Sequence, residues 1–238
     1  MSYGIKVATY NIRKAIGLDQ RRSPERILNV LKEIDADIIA LQEVDRRFGA
    51  RASVLPLTMI EAETDWQPVP LDFRPQAIGW HGNAILVRRG IVVRHAEPVE
   101  MPTLEPRGAV MAELVCDGHP LRVMGVHLDL SGLWRRKQIR ALLAKIDGTH
   151  RHMPTVLMGD FNQWSDRGAL SELAFHHHRL VSTPKSFHSA RPVARLDRII
   201  VSHDIAVASA DCHSSPLSKR ASDHLPVWAN LQLTGRYA

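Results

Sequence analysis

The residues able to do chemistry in this chain stand at the ends of its apolar runs. In V-L-M-G-D-F-N-Q-W, residues 156–164, three apolar residues led in by Pro154 read as a buried strand, and Gly159-Asp160 reads as its end. Residues two apart in a strand point the same way, so Asp160 and Asn162 present a carboxylate and an amide on one side of a strand edge. Such a pair can hold a metal ion, a water or a phosphate. Gly-Asp and Asn-Gln are also common turn chemistry, so these letters alone leave a plain turn open.

The same arrangement recurs along the chain. Asn11 follows the run 7–10, Gln42 and Glu43 follow 38–41, and His127 follows 123–126. Asp197 lies inside the run 196–201, and Ser222-Asp223-His224 directly precedes Leu225-Pro226-Val227. Any strand must end in something polar, but a series made of carboxylates, amides and imidazoles is hard to get by chance.

Positioning these groups falls to an alternation of strands and helices. Residues 5–10 read as a strand; Ser23-Pro24-Glu25 is a helix start, with an N-cap, a proline at the first helical position and an acid for the dipole. Ile27, Leu28, Leu31 and Ile34 repeat at helical spacing, and residues 38–41 form a buried strand. Further on, 83–88 with 91–99 around Arg89-Gly90, and 110–116 with 121–127 around Asp117-Gly118, carry hairpin signals. A helix over 133–146 bears the stripe Ile139, Leu142, Leu143 and Ile146. A strand at 155–158, a short helical piece near 169–173 and late strands at 196–201, 205–208 and 226–233 follow. The pattern predicts two mainly antiparallel sheets packed face to face with helices outside, an α/β sandwich whose strand ends collect at one rim. The longest irregular stretch, 177–193, is of a length that tends to be functional or disordered. No repeat and no linker is evident, so residues 1–238 are expected to form one domain.

Composition bounds the partners. The 238 residues carry a net charge of +6 and a sequence pI near 9.7, which favours polyanions: nucleic acid, anionic lipid surfaces or phosphorylated small molecules. Only 5% of residues are aromatic, which argues against an extended stacking platform for single strands. Cys116 and Cys212 are too few for a disulfide framework and sit in no metal-binding spacing. No stretch approaches a membrane span and no signal peptide is evident, so a cytoplasmic location is expected, with no obligate protein partner. His176-His177-His178 reads as a solvated loop, because three consecutive residues of regular structure cannot face one ion.

The ordered motifs T-Y-N (9–11), L-Q-E-V-D (41–45), G-N-A-I-L (82–86), V-H-L (126–128), G-D-F-N (159–162), L-D-R-I (196–199) and S-D-H-L-P-V (222–227) resemble the endonuclease/exonuclease/phosphatase superfamily, the group of the DNase I-like nucleases. The resemblance implies a four-layered α/β sandwich and divalent-metal-dependent cleavage of phosphate esters, with Mg²⁺ as cofactor and Mn²⁺ as a substitute. It makes Glu43 the principal metal ligand, with Asn11 beside it on metal or phosphate and Asp223 as a second metal position or a support. Asp160 corresponds to the residue that orients or deprotonates the attacking water, and Asn162 to a phosphate and transition-state donor. His224 corresponds to the histidine that contacts the scissile phosphate or moves a proton, and Asp197 to the acid that orients it. His127 would be a second phosphate-contacting or general-acid imidazole, and Arg107 is a looser match to a phosphate-binding arginine. Plain alternatives are a solvated strand-end acid for Glu43, a core histidine for His127 and a surface residue for Arg107.

Departures from the superfamily's branches narrow the choice. His127 stands where AP endonucleases carry tyrosine, and the segment 194–198 lacks their aromatic pattern. Inositol polyphosphate 5-phosphatase signatures match only in their core letters, and the disulfides and first acid–histidine pair of secreted DNase I-type enzymes are missing. What is left resembles the short bacterial branch of the superfamily, whose function is unassigned. The leading expectation is a phosphodiesterase acting on nucleic acid or another phosphodiester. A phospholipase C-like hydrolase of phospholipid headgroups would expose an apolar contact surface, for which Trp66, Trp80 and Trp134 are the residues to inspect. A non-catalytic binding protein on the same fold would have lost a site residue, and none is lost. Basic pairs at Arg46-Arg47 and Lys219-Arg220 adjoin site residues and could steer an anionic substrate.

Overall fold

Local signals set the first helix. Ser23 accepts the Arg26 N–H on its hydroxyl at 3.2 Å, Pro24 follows it, and Asp35 closes the last turn with a left-handed φ of 50°. The computed structural model describes residues 2–46, 52–71, 77–105, 107–149, 152–166 and 168–234. Through them run β1 (Tyr3–Asn11), α1 (Pro24–Ile34), β2 (Ile38–Gln42), α2 (Leu57–Glu63), β3 (Trp66–Pro68), β4 (Ala84–Arg88), β5 (Val92–Val99) and β6 (Ala109–Cys116). Then come β7 (His119–His127), α3 (Gly132–Asp147), β8 (Thr155–Asp160), α4 (Ser171–Phe175), β9 (His178–Leu180), β10 (Asp197–Ser202), β11 (Ala206–Cys212), α5 (Ser218–Ala221) and β12 (Val227–Leu233).

Two six-stranded sheets result, in the orders β11-β12-β1-β2-β4-β3 and β5-β6-β7-β8-β10-β9. Neighbours are antiparallel except the central pair of each sheet, β1 with β2 and β7 with β8, so both sheets are mixed. Their central strands bury both faces. Val7, Ile38 and Ala40 meet Val123, Val156 and Met158 between the sheets. The alternate residues Ala8, Ile39 and Leu41 turn outward under Ile27, Leu28 and Leu31 of α1. On the far side Met124, Val126 and Leu157 pack under Ile139, Leu142 and Leu143 of α3. Helix, sheet, sheet and helix make the four layers, and two buried faces explain why these strands read as unbroken apolar runs. No helix among the described residues is long and apolar enough to cross a membrane.

One hairpin forms as its sequence predicts. Asp117 and Gly118 both take positive φ, 48° and 79°, and close β6 onto β7 with Cys116 opposite His119. The other does not. Arg89-Gly90 does turn, with Ile91 N–H on the Arg88 carbonyl at 3.1 Å, but it passes the chain from the first sheet to the second. The reason is that β4 is already flanked by β2 and β3, whereas β5 finds an open edge at β6. The sequence pattern also missed α2, β3, β9 and α5, elements of seven, three, three and four residues.

Candidate active site

Parallel neighbours end at the same edge, and here that places chemistry side by side. Asn11 pairs with Gln42 at the end of the first central pair, and His127 with Asp160 at the end of the second, while Asp197 opens β10 opposite Asp160. Asn11 Nδ2 donates across the two sheets to Asp160 Oδ2 at 3.0 Å, and Ser222 Oγ holds the Asn11 carbonyl at 2.7 Å. Gly159 is required where it stands: a Cβ there would lie 1.9 Å from the Val126 carbonyl oxygen. Asp160 ends the strand by accepting the Asn162 N–H on Oδ1 at 2.9 Å, with Asn162 left-handed at φ 49°. The period-two alternation therefore does not reach Asn162, and G-D-F-N is a turn as well as a cluster of functional groups. Asn162 is held by its side chain, whose Nδ2 donates to the Leu128 carbonyl at 2.9 Å.

Two buried histidines face Asp160 in different states. His224 Nδ1 donates to Asp197 Oδ2 at 2.8 Å, and His224 Nε2 lies 3.8 Å from Asp160 Oδ2. Burial alone depresses an imidazole pKa, but the Asp197 and Asp160 carboxylates outweigh it and push His224 up to about 10. The same oxygen of Asp197 receives the Ser186 hydroxyl. Phe187 packs on the His224 ring at a centroid distance of 4.9 Å. His127 Nε2, by contrast, touches Arg107 Nη1. A guanidinium has no lone pair, so Nε2 must be the acceptor and carries no proton. The 3.5 Å from that nitrogen to Asp160 Oδ2 is therefore proximity and not an ion pair. Burial, helped by Arg107, lowers His127 to about 4 against the pull of Asp160, in agreement with that protonation state.

Glu43 stands just past β2 with a left-handed φ of 58°. It lines a cavity of about 290 Å³ together with Lys14, Arg46, Arg107, His127 and Leu130. Burial would raise its pKa, yet the Lys14 ammonium, by hydrogen bond and charge, holds it below the usual value. Lys14 Nζ contacts Glu43 Oε2, so the carboxylate already takes a cation. Asp223 faces Arg13, at 3.6 Å from Nε to Oδ2, and not Glu43. Asp160, Asp197 and His224 offer ligating atoms within 4.8 Å of one another.

Arg107 is thus no surface residue, and Glu43, Asn11, His127, Asp160, Asn162, Asp197 and His224 come together; Asp223 stands at the edge. Gln42 turns inward instead, with Thr9 Oγ1 3.2 Å from its Oε1. Arg47 and Pro106 lie outside the described residues. Sequence reading passed over Arg13 and Lys14, two and three residues beyond Asn11, and over Ser186 and Phe187. The length of the irregular stretch 177–193 was the one signal for the last two.

The family profile of the endonuclease/exonuclease/phosphatase family matches residues 8–224. Uncharacterized protein YbhP of Escherichia coli K12 is 30% identical, covering 97% of each chain. A mannosyl-6-phosphatase of Bacteroides thetaiotaomicron superposes at a TM-score of 0.76 with 19% identity over 95% of this chain and 99% of that one. Zebrafish (D. rerio) TDP2, complexed with a single-strand DNA product, gives 0.72 with 16% identity over 96% and 98%. Those two likenesses are of fold, whereas the profile runs through the rim residues from Asn11 to His224, and the chain belongs to the endonuclease/exonuclease/phosphatase family.

Proposed function

We propose that this chain is a divalent-metal-dependent phosphoesterase, a phosphodiesterase that cleaves nucleic acid or a related phosphodiester by in-line attack of water. The observation that carries it is the Asp160 carboxylate, held by Asn11 across the sheets and facing one protonated and one neutral imidazole. Asp160 orients the water and accepts its proton as the oxygen attacks phosphorus. His224, charged between Asp197 and Asp160, donates from Nε2 to a phosphoryl oxygen or to the departing alkoxide as the P–O bond breaks. His127 lacks a proton on Nε2, so the acid role falls to His224, while His127 with Arg107 and the amides of Asn11 and Asn162 lines the phosphate's path. The oxygen donors Glu43 and Asn11 fit a hard cation, with Asp223 at the edge of the site on Arg13, and Lys14 on Glu43 marks the place of positive charge. Bound there, Mg²⁺ or Mn²⁺ would neutralise charge on the phosphoryl oxygens and the leaving group. A single cytoplasmic domain spanning residues 1–238 is the setting of this reading, and TDP2 with its DNA product supports a nucleic-acid substrate on this fold.

A second reading, hydrolysis of phospholipid headgroups, is favoured by one feature. Leu104, Leu130, Leu133 and Trp164 are all more than 60% exposed. They lie close together: Arg135 reaches the Leu130 carbonyl with Nη1 and Gln163, the neighbour of Trp164, with Nε, and Leu104 N–H donates to Asp129. Trp66 is buried and Trp80 and Trp134 are half-buried, so Trp164 is the tryptophan that this reading needs.

The test is hydrolysis of bis(p-nitrophenyl) phosphate, p-nitrophenyl phosphate, plasmid DNA and phospholipid vesicles in Mg²⁺, Mn²⁺ and EDTA, with Asp160→Ala and His224→Ala. Cleavage lost in EDTA and in both variants is expected, and the best substrate selects the reading. Turnover that survives EDTA, or both variants, refutes it, and no turnover on any substrate favours a binding protein.

A further inference from the structure

At the other end of the second sheet a cavity of about 500 Å³ is lined by five imidazoles, those of His152, His176, His177, His178 and His203. It opens where β8 begins at Thr155, roughly 16 Å along the strand from Asp160 at about 3.3 Å per residue. Tertiary structure gathers these residues from three segments. β9 pairs with β10 so that His178 stands opposite Ser202, and the His203 N–H donates to the His177 carbonyl at 3.1 Å. The rings of His177 and His203 meet edge to face, 6.0 Å between centroids. His177 is left-handed at φ 58°, which breaks the regular alternation and lets three consecutive histidines line one cavity.

Hydrogen bonding decides which ring nitrogens are left for a ligand. His178 Nδ1 lies 2.6 Å from the His176 carbonyl oxygen, which can only accept, so Nδ1 carries the proton and Nε2 the lone pair. That Nε2 is buried, in a residue 6% exposed, and meets no hydrogen-bond partner among the described residues. His176 Nδ1 sits 3.4 Å from an Asp147 oxygen, and His152 Nε2 sits 3.1 Å from Asp204 Oδ2. An imidazole tied to an oxygen acceptor through one nitrogen, with the other left over, is the arrangement that metal-ligating histidines adopt.

We propose that this cavity is a second metal site, for Zn²⁺ or another late first-row divalent ion, built on His178 Nε2 and the His203 imidazole and completed by imidazoles from among His152, His176 and His177. Nitrogen donors select such ions over Mg²⁺. Among the described residues the trio of ligating atoms already within one coordination sphere is the one at Asp160, so these rings must turn to close on the ion. Four of them are exposed and can do so, while His178 is fixed. A bound ion would tie the start of β8, the link from α4 to β9 and the turn after β10, and so would act on stability.

The test uses the full chain without an affinity tag, stripped with EDTA, returned to excess Mg²⁺ and titrated with ZnCl₂ by calorimetry, with thermal unfolding alongside. One zinc equivalent that persists in Mg²⁺ and raises Tm is expected. His178→Gln and the exposed His203→Gln should each weaken binding by about tenfold or more and abolish the rise in Tm, while Asp160→Ala binds zinc as the parent does. His203 lies at the surface, so that variant reports even if His178→Gln misfolds. The proposal is overturned by no zinc uptake at micromolar concentration, by uptake unchanged in His203→Gln, or by uptake lost in Asp160→Ala.

Discussion

His224 Nδ1 donates to Asp197 Oδ2 at 2.8 Å, with both side chains buried where β10 begins beside the segment leading into β12. That bond fixes the ring so that Nε2 faces Asp160. Asp197→Asn removes the charge that keeps the ring protonated, and kcat toward bis(p-nitrophenyl) phosphate is expected to fall about 10²-fold or more with KM little changed. An unchanged kcat would show that His224 acts without its acid.

The two histidines predict opposite pH slopes of stability. His224, raised to about 10, adds stability fully present below the unfolded value near 6.5 and lost as pH rises from there through 10. His127, lowered to about 4, adds stability present above about 6.5 and lost as pH falls from there through 4. Urea midpoints in EDTA should therefore decline less on the alkaline side in His224→Gln, and less on the acid side in His127→Gln. Parallel profiles for parent and variants would contradict both assignments.

Gly159→Ala places a methyl into the Val126 carbonyl. With no flexible side chain to yield, β7 and β8 must part, at a cost of about 2 kcal/mol or more. Chemical denaturation measures it, and a loss under about 0.5 kcal/mol would show that the strands relax freely.

Lys14 competes with any ion for Glu43. In Lys14→Met the Mg²⁺ concentration for half-maximal activity is expected to fall roughly fivefold, the equivalent of about 1 kcal/mol for a partly exposed pair. A rise in that concentration would mean that Lys14 serves the substrate instead.

Trp164→Ser separates the two substrate readings. Loss of vesicle hydrolysis by about tenfold, with bis(p-nitrophenyl) phosphate turnover intact, is expected if the apolar rim meets lipid. Equal rates on vesicles leave nucleic acid as the substrate class.

Much of this molecule was legible in its sequence because the signals were local or periodic. Ser23 and Pro24 start a helix by their own hydrogen bonding, Asp117-Gly118 closes a hairpin by its φ preference, and strands buried on both faces show as apolar runs that end in Asn11, Glu43, His127 and Asp160. What only tertiary structure decided were relations between residues far apart in the chain. Arg89-Gly90 turns as its letters say, but which sheet receives β5 depends on which edge is still open. That Asn11 holds Asp160 depends on the sheets facing each other, and the protonation of His224 and His127 depends on which of Asp197 and Arg107 each ring meets. Composition cannot encode that difference: the two imidazoles are the same chemical group, and their opposite states come from the charges that folding packs around each.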